Sequence, residues 1–249
     1  MVLAAGLGTR LRPLTDDRPK ALVEVAGRTL LELNLARLKS SGINDVIINT
    51  HHFADKLADY LSAHNNFGMN LEVSREDVLL DTGGGLKHAA HFFLSGNGTD
   101  EPFLLHNVDV LSNIDFHSML RHHLDTGSLA TLAVQDRLTS RYLLFDETGH
   151  LCGRRSGPDA SAGPVEQVRP ARILHARAFS GIHIISPRIF PLMHEDGVFS
   201  IIPVYLRLAA AGESIVSYPA DRNYWRDLGK PARIAAAAED INTGAYPVD

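Results

Sequence analysis

Short β-branched apolar runs alternate along the first half of the chain with stretches in which apolar residues recur every three or four positions. Residues 1–5 form an apolar run ending at a glycine, the pattern of a buried strand that feeds a loop. Residues 21–26 make a second extended piece. Leu31, Leu35 and Leu38 then recur at helical spacing until Ser40-Ser41-Gly42 stops the repeat. Residues 45–50 (DVIINT) read as a buried strand from their β-branched content, and Phe53, Leu57, Tyr60 and Leu61 mark the next amphipathic helix. A strand is predicted over 70–75, a helix opened by three glycines over 85–94, the strongest strand of the chain over 102–110, and a helix from 115 to 124.

Strands and helices alternating at this spacing predict parallel βαβ units. Beyond residue 129 the pattern changes to strands over 129–135, 142–145, 151–154 and 178–186, with hairpin-like turns such as 146–149. Short helices follow near 187–193 and 201–211, then a strand over 214–218 and an Ala-rich helix over 231–239. Residues 156–170, with their Gly, Pro, Ser and Ala, predict a surface loop. The expected class is α/β: a Rossmann-like, mixed but mostly parallel sheet with helices on both faces. It is expected as a single domain over 1–249, with a parallel half (1–128) and a more mixed half (129–249).

Composition narrows the function. The 249 residues are 45% hydrophobic and 21% charged, as in ordinary globular proteins, and the net charge of −5 argues against a general nucleic-acid binder. The N-terminus offers a local basic pocket, where residues 10–20 hold Arg10, Arg12, Arg18 and Lys20 against Asp16 and Asp17. A lone cysteine, Cys152, excludes an internal disulfide and a Cys-rich zinc site. No run approaches the ~18 apolar residues of a membrane span, so no membrane partner and a cytoplasmic location are expected. His51 and His52 read as a loop after a strand.

The segment Leu3-Ala4-Ala5-Gly6-Leu7-Gly8-Thr9-Arg10-Leu11-Arg12-Pro13-Leu14-Thr15 follows the first strand directly. Its glycines let backbone approach an anion, but two glycines alone are common in strand-to-helix turns. Leu11 stands where a dinucleotide fingerprint needs its third glycine, and the Gly-Lys-Ser/Thr of a Walker loop is absent. Arg10 and Lys20 supply a planar fork and a point charge for phosphate. Arg12 and Arg18 read as solvated surface. Asp109, at the end of the strongest strand, and Asp227, in a Trp-Arg-Asp-Leu-Gly turn, are each compatible with a cap or with a Mg²⁺ ligand.

LAAGLGTRLRPLT followed by RPKALVEVAGRTLLE closely resembles the signature of the sugar-1-phosphate nucleotidyltransferases, or nucleoside-diphosphate-sugar pyrophosphorylases. The likeness continues through Asp81-Thr82-Gly83-Gly84-Gly85, Asn107-Val108-Asp109-Val110, Phe179-Ser180-Gly181-Ile182 and Tyr224-Trp225-Arg226-Asp227-Leu228-Gly229. Within the family it is nearest to the compact uridylyltransferases of N-acetylmuramate 1-phosphate and the short mannose-1-phosphate guanylyltransferases. The resemblance implies a nucleotide-binding first half and a sugar-binding second half. The implied substrates are a nucleoside triphosphate, UTP or GTP first, and a sugar 1-phosphate. Arg10, Lys20, Asp109 and Asp227 are implied as catalytic, the two aspartates also as ligands of Mg²⁺. Ala4, Ala5, Gly6, Gly8, Thr9, Thr82, Gly83 and Asn107 are implied for the nucleotide, and Gly84 and Gly181 for the sugar. A homodimer is compatible with this reading. Two rivals stand beside it: transfer to a non-sugar phosphate such as phosphocholine, and a non-catalytic regulatory homologue. The presence of all four catalytic residues weighs against the second.

Overall fold

The computed structural model describes residues 1–95, 100–159 and 161–246. The chain folds into two compact units. Met1–Phe92, His106–Ile114 and Asn223–Asp249 form the first, and Phe93–Leu105 with Asp115–Arg222 the second.

In the first unit the short strand Val2–Leu3 runs parallel between Asp45–Thr50 and the end of Phe103–Asn107. Val2 lies opposite Ile48 and His106, Leu3 opposite Asn49 and Asn107. Asn70–Arg75 adds a further parallel strand on the outer side of Asp45–Thr50. Parallel strands covered on both faces need continuous apolar runs, and Val46, Ile47 and Ile48 are all buried. The helix Leu30–Ser40 starts at Thr29, whose hydroxyl accepts from Glu32 N at 3.1 Å, and it buries Leu30, Leu31, Leu33, Leu35 and Leu38. From this helix Asn34 Nδ2 donates to the Val108 carbonyl at 2.9 Å and so fixes the backbone just past Asn107.

In the second unit Ala130–Gln135 lies between His175–Ile185, which is antiparallel, and Ile215–Pro219, which is parallel. Arg141–Phe145 and Leu151–Ser156 continue the antiparallel pairing. The helix Phe116–Thr126 opens on the Asp115 carboxylate, which accepts from His117 N and Ser118 N, and closes on Gly127 at φ 56°. The Rossmann-like α/β architecture expected from the sequence is present, with the main-sheet strands parallel in the first unit and mixed in the second.

Several element boundaries differ from expectation. The strand predicted over 102–110 ends at Asn107. Val108 and Asp109 form a turn, and Val110–Ser112 pairs instead with Trp225–Asp227. The helix predicted from residue 85 begins at Asp81, so its three glycines are helical, and it breaks at Ala89. Residues 21–26 give a 3₁₀ turn, Lys20–Leu22, and a two-residue strand, Glu24–Val25, paired with Arg28–Thr29. The predicted loop 156–170 contains a strand, Val165–Gln167, paired with Leu151–Ser156; residue 160 lies outside the described residues.

Candidate active site

The glycine loop is shaped by requirements that residue identity alone partly conceals. Gly8 sits at φ 63°, where an L side chain is strained, and a Cβ there would lie 2.9 Å from Thr15 Cγ2 and 3.2 Å from Lys20 Cβ. Thr15 Oγ1 donates to the Gly8 carbonyl at 2.9 Å, closing the loop on itself. Leu11 is fully buried, so the residue that breaks the dinucleotide fingerprint is the loop's apolar anchor. Around Gly6 nothing lies within 4 Å of a would-be Cβ, and the residue is exposed. Open space beside an exposed glycine is what close approach of a ligand to the backbone requires. Ala4 and Ala5 are buried, and Thr9 and Arg10 exposed.

Lys20 is delivered by the turn Lys20–Leu22, which is pinned by buried Ala21 and Leu22. Its ammonium forms an ion pair with Asp109 Oδ2, and each side chain is only 14% exposed. Asp109 is positioned by its backbone: its carbonyl accepts from Leu228 N at 2.7 Å. On the same ribbon Asp227 faces Val110. Two aspartates far apart in sequence are thus neighbours on one two-stranded element. Asp227 Oδ1 accepts from Gly229 N at 2.8 Å, and Oδ2 from Arg233 at 2.6 Å. Arg10 reaches the same place, since a Cβ on Gly229 would lie 2.9 Å from Arg10 Nη2 and 2.8 Å from Asp227 Oδ1. Arg10, Lys20, Asp109 and Asp227 are therefore gathered within the first unit.

Among the described residues no group of three or more His, Cys, Asp or Glu could hold a metal ion. What the ribbon offers is two carboxylates, each now neutralised by one cation, Lys20 on Asp109 and Arg233 on Asp227. Two hard carboxylate ligands suit Mg²⁺, which completes its shell with water and phosphate oxygens, and do not suit a structural zinc. The donor set fits the expected ion.

Asn107 ends its strand opposite Leu3 and is half-buried. Thr82, Gly83 and Gly84 fill the first turn of Asp81–His88, where Thr82 N donates to Asp81 Oδ1 at 2.6 Å. Gly181 belongs to the second unit, within His175–Ile185, at φ 75° and at a register shift between Phe179 and His183. Arg12 and Arg18 pair with their neighbours Asp16 and Asp17, as surface residues do. His51 and His52 lie in the expected loop, with His51 Nδ1 against the Glu76 carbonyl at 2.8 Å.

Sequence reasoning missed Asn49, Glu76 and Arg233. Asn49 is a polar residue in an apolar strand, a visible signal. Glu76 and Arg233 carry no motif of their own: Glu76 bonds Asn49 across 27 residues, and Arg233 meets Asp227 only through the turn that follows it.

Residues 1–147 match the nucleotidyl transferase family. The chain is 37% identical over 245 residues to an N-acetylmuramate alpha-1-phosphate uridylyltransferase of Caulobacter vibrioides, covering 96% of this chain and 95% of that protein. A protein of the same name from Neisseria meningitidis serogroup B is 32% identical, with 95% of each chain covered. A mannose-1-phosphate guanyltransferase of Gibberella zeae is 33% identical over 93% of this chain but only 60% of its own length. Among solved structures, HddC from Yersinia pseudotuberculosis superimposes with a TM-score of 0.75 at 23% identity, covering 96% of this chain and 97% of that one. A putative glucose-1-phosphate thymidylyltransferase from Bacillus anthracis gives 0.76 at 17% identity, with 97% and 95% covered, and both likenesses speak to fold.

Proposed function

The chain belongs to the nucleotidyl transferase family, and from that premise we propose that it joins a nucleoside triphosphate to a sugar 1-phosphate, releasing pyrophosphate. UTP and N-acetylmuramate α-1-phosphate are the lead substrate pair, because the two relatives aligned along almost their whole length carry that activity in their names. The observation that carries the reaction class is the meeting of Lys20, Asp109 and Asp227 beside the glycine loop.

An oxygen of the sugar phosphate attacks the α-phosphorus; that P–O bond forms as the bond to the β-phosphate bridging oxygen breaks, and pyrophosphate leaves with the electron pair. The attacking phosphate is already ionised, so no general base is needed. Catalysis reduces to alignment and to stabilising charge on phosphorus and leaving group. Arg10 is assigned to the β- and γ-phosphates, and Lys20 to the α-phosphate or incoming phosphate. Asp109 and Asp227 would hold Mg²⁺, which when bound supplies charge neutralisation at the phosphates. Backbone at residues 4–6, Gly8 and Thr9 is assigned to the nucleotide together with Thr82, Gly83 and Asn107. Gly84 and the second unit's Gly181 are assigned to the sugar.

The test is pyrophosphate release from each of the four nucleoside triphosphates against N-acetylmuramate, mannose and glucose 1-phosphates and phosphocholine, with Mg²⁺. Release with UTP and N-acetylmuramate α-1-phosphate is expected to be fastest. Preference for GTP with mannose 1-phosphate would replace the lead pair, and no release from any pair would sink the enzymatic reading.

A further inference from the structure

Glu76 is an acidic side chain only 4% exposed, and its carboxylate is held by uncharged groups. Oε1 accepts from Asn49 Nδ2 at 2.7 Å, and Oε2 accepts from Leu80 N at 3.0 Å. Asn49 in turn accepts from Ala4 N at 2.7 Å through its Oδ1. A continuous buried path therefore joins the backbone of the glycine loop, through two side chains, to the segment that leads into Asp81–His88. The backbone of Glu76 is itself fixed: its N–H donates to the Thr50 carbonyl at 2.8 Å, and its carbonyl meets His51 Nδ1.

The path is directional. Ala4 N can only donate, so Asn49 must turn its oxygen toward Ala4 and its amino group toward Glu76. Glu76 must then offer an acceptor at both ends, which only a carboxylate does. Gly85 is packed against the same pair, since a Cβ there would lie 2.6 Å from Glu76 Oε1 and 2.8 Å from Asn49 Nδ2. One glycine of the triple is thus accounted for by this contact.

We propose that Glu76 and Asn49 form a positioning pair that sets the spacing between the glycine loop and the Leu80–Gly85 segment, and thereby the nucleobase selectivity of the enzyme. This rests on the reading that residues 4–6 and Thr82–Gly83 flank the base. Selectivity between bases depends on fixed donors and acceptors, and a shift of a few tenths of an ångström in one wall of such a pocket degrades it. Neither side chain is assigned a contact with substrate.

Glu76→Gln is the decisive variant. A glutamine oxygen can accept from Asn49 or from Leu80 N, but its amino group then faces another N–H. Glu76→Asp keeps both acceptors on a shorter stem. Gly85→Ala pushes on the same pair from the opposite side. Binding of each of the four nucleoside triphosphates is measured on purified full-length protein by calorimetry, beside steady-state pyrophosphate release and thermal melting. Glu76→Gln is expected to weaken the preferred nucleotide about tenfold and to narrow its preference over the other three by a similar factor. The kcat is expected to stay within about threefold, since the reacting groups are untouched. Gly85→Ala should reproduce this pattern, and Glu76→Asp should recover part of the lost preference.

Folded Glu76→Gln and Gly85→Ala proteins that keep wild-type preference would overturn the proposal. So would an equal loss of all four nucleotides accompanied by a lower melting temperature, which marks simple structural support. If Glu76→Gln does not fold, Gly85→Ala decides by the same readout. A wild-type protein that binds none of the four nucleotides overturns the nucleotidyltransferase reading itself. Wild-type binding with unchanged preference in the variants overturns only the role of the pair.

Discussion

Lys20 and Asp109 are joined in a largely buried ion pair, each side chain 14% exposed. The cation assigned to phosphate and the carboxylate assigned to metal thus hold each other in place. Removing either leaves the other without its partner, and both are assigned to the same reaction centre. Lys20→Met and Asp109→Asn are each expected to lower kcat/KM at least about a hundredfold, roughly 2.7 kcal/mol of transition-state stabilisation. The double variant should cost much less than the product of the two, because the pair acts as a unit. Pyrophosphate release by the three variants checks this; strict additivity would show that the residues act separately.

Gly229 is held for the site and not for the fold. A Cβ there would fall 2.8 Å from Asp227 Oδ1 and 2.9 Å from Arg10 Nη2, both ends of flexible side chains. The backbone can keep its shape while those two groups move aside. Gly229→Ala is therefore expected to melt within a few degrees of wild type, about 1 kcal/mol or less, yet to lose about tenfold or more in kcat/KM. A variant with wild-type turnover would remove Arg10 and Asp227 from the reacting geometry.

The parallel strands at 45–50 and 70–75 were legible to the residue, because β-branched runs between helices have few other uses. The glycine loop was legible as a turn after the first strand, and Arg10 and Lys20 marked it as the proposed phosphate loop. What the sequence hid was the ribbon. Val110–Ser112 looks like the continuation of Phe103–Asn107, since apolar content does not reveal that the chain turns at Val108 and Asp109 to pair with Trp225–Asp227. The same blindness concealed Glu76, whose contact with Asn49 spans 27 residues of chain. Gly85 was visible as unusual, but its cause, the Glu76–Asn49 contact, required the fold.

His106 gives the protein an acid-side stability limit. It is 3% exposed on the strand Phe103–Asn107, its Nδ1 lies 2.9 Å from the Asn107 carbonyl, and burial pushes its pKa from the usual 6.5 down to about 4. The unfolded chain takes up a proton near pH 6.5 while the folded one stays neutral until about pH 4. The unfolded state therefore binds more protons in that window, and stability falls as pH falls. His123, held between Thr131 and Ser186, is pushed down to about 4 as well and acts in the same direction. Stability should drop by about 1.4 kcal/mol per pH unit for His106 alone as the pH falls below 6.5. Urea midpoints at pH 7, 6 and 5 measure the slope, and His106→Gln should flatten it; an unchanged slope would assign the effect elsewhere.

Arg233 is placed to compete with the proposed metal for Asp227. Its Nη1 lies 2.6 Å from Asp227 Oδ2, and the two side chains are 44% and 28% exposed. A pair this open to water contributes little to stability, so Arg233→Met should melt as wild type does. It does occupy a carboxylate oxygen that a divalent ion would use. Freeing that oxygen is expected to tighten Mn²⁺ binding to the nucleotide-free protein by about three- to tenfold, since one unit charge beside the site is removed. Mn²⁺ titration followed by electron paramagnetic resonance reads this without any turnover. The gain should shrink in high salt, where the Arg233 charge is already screened. Asp227→Asn should weaken Mn²⁺ binding in either background. Equal Mn²⁺ affinity in wild type and Arg233→Met would mean that the arginine leaves Asp227 freely and places no tax on metal entry.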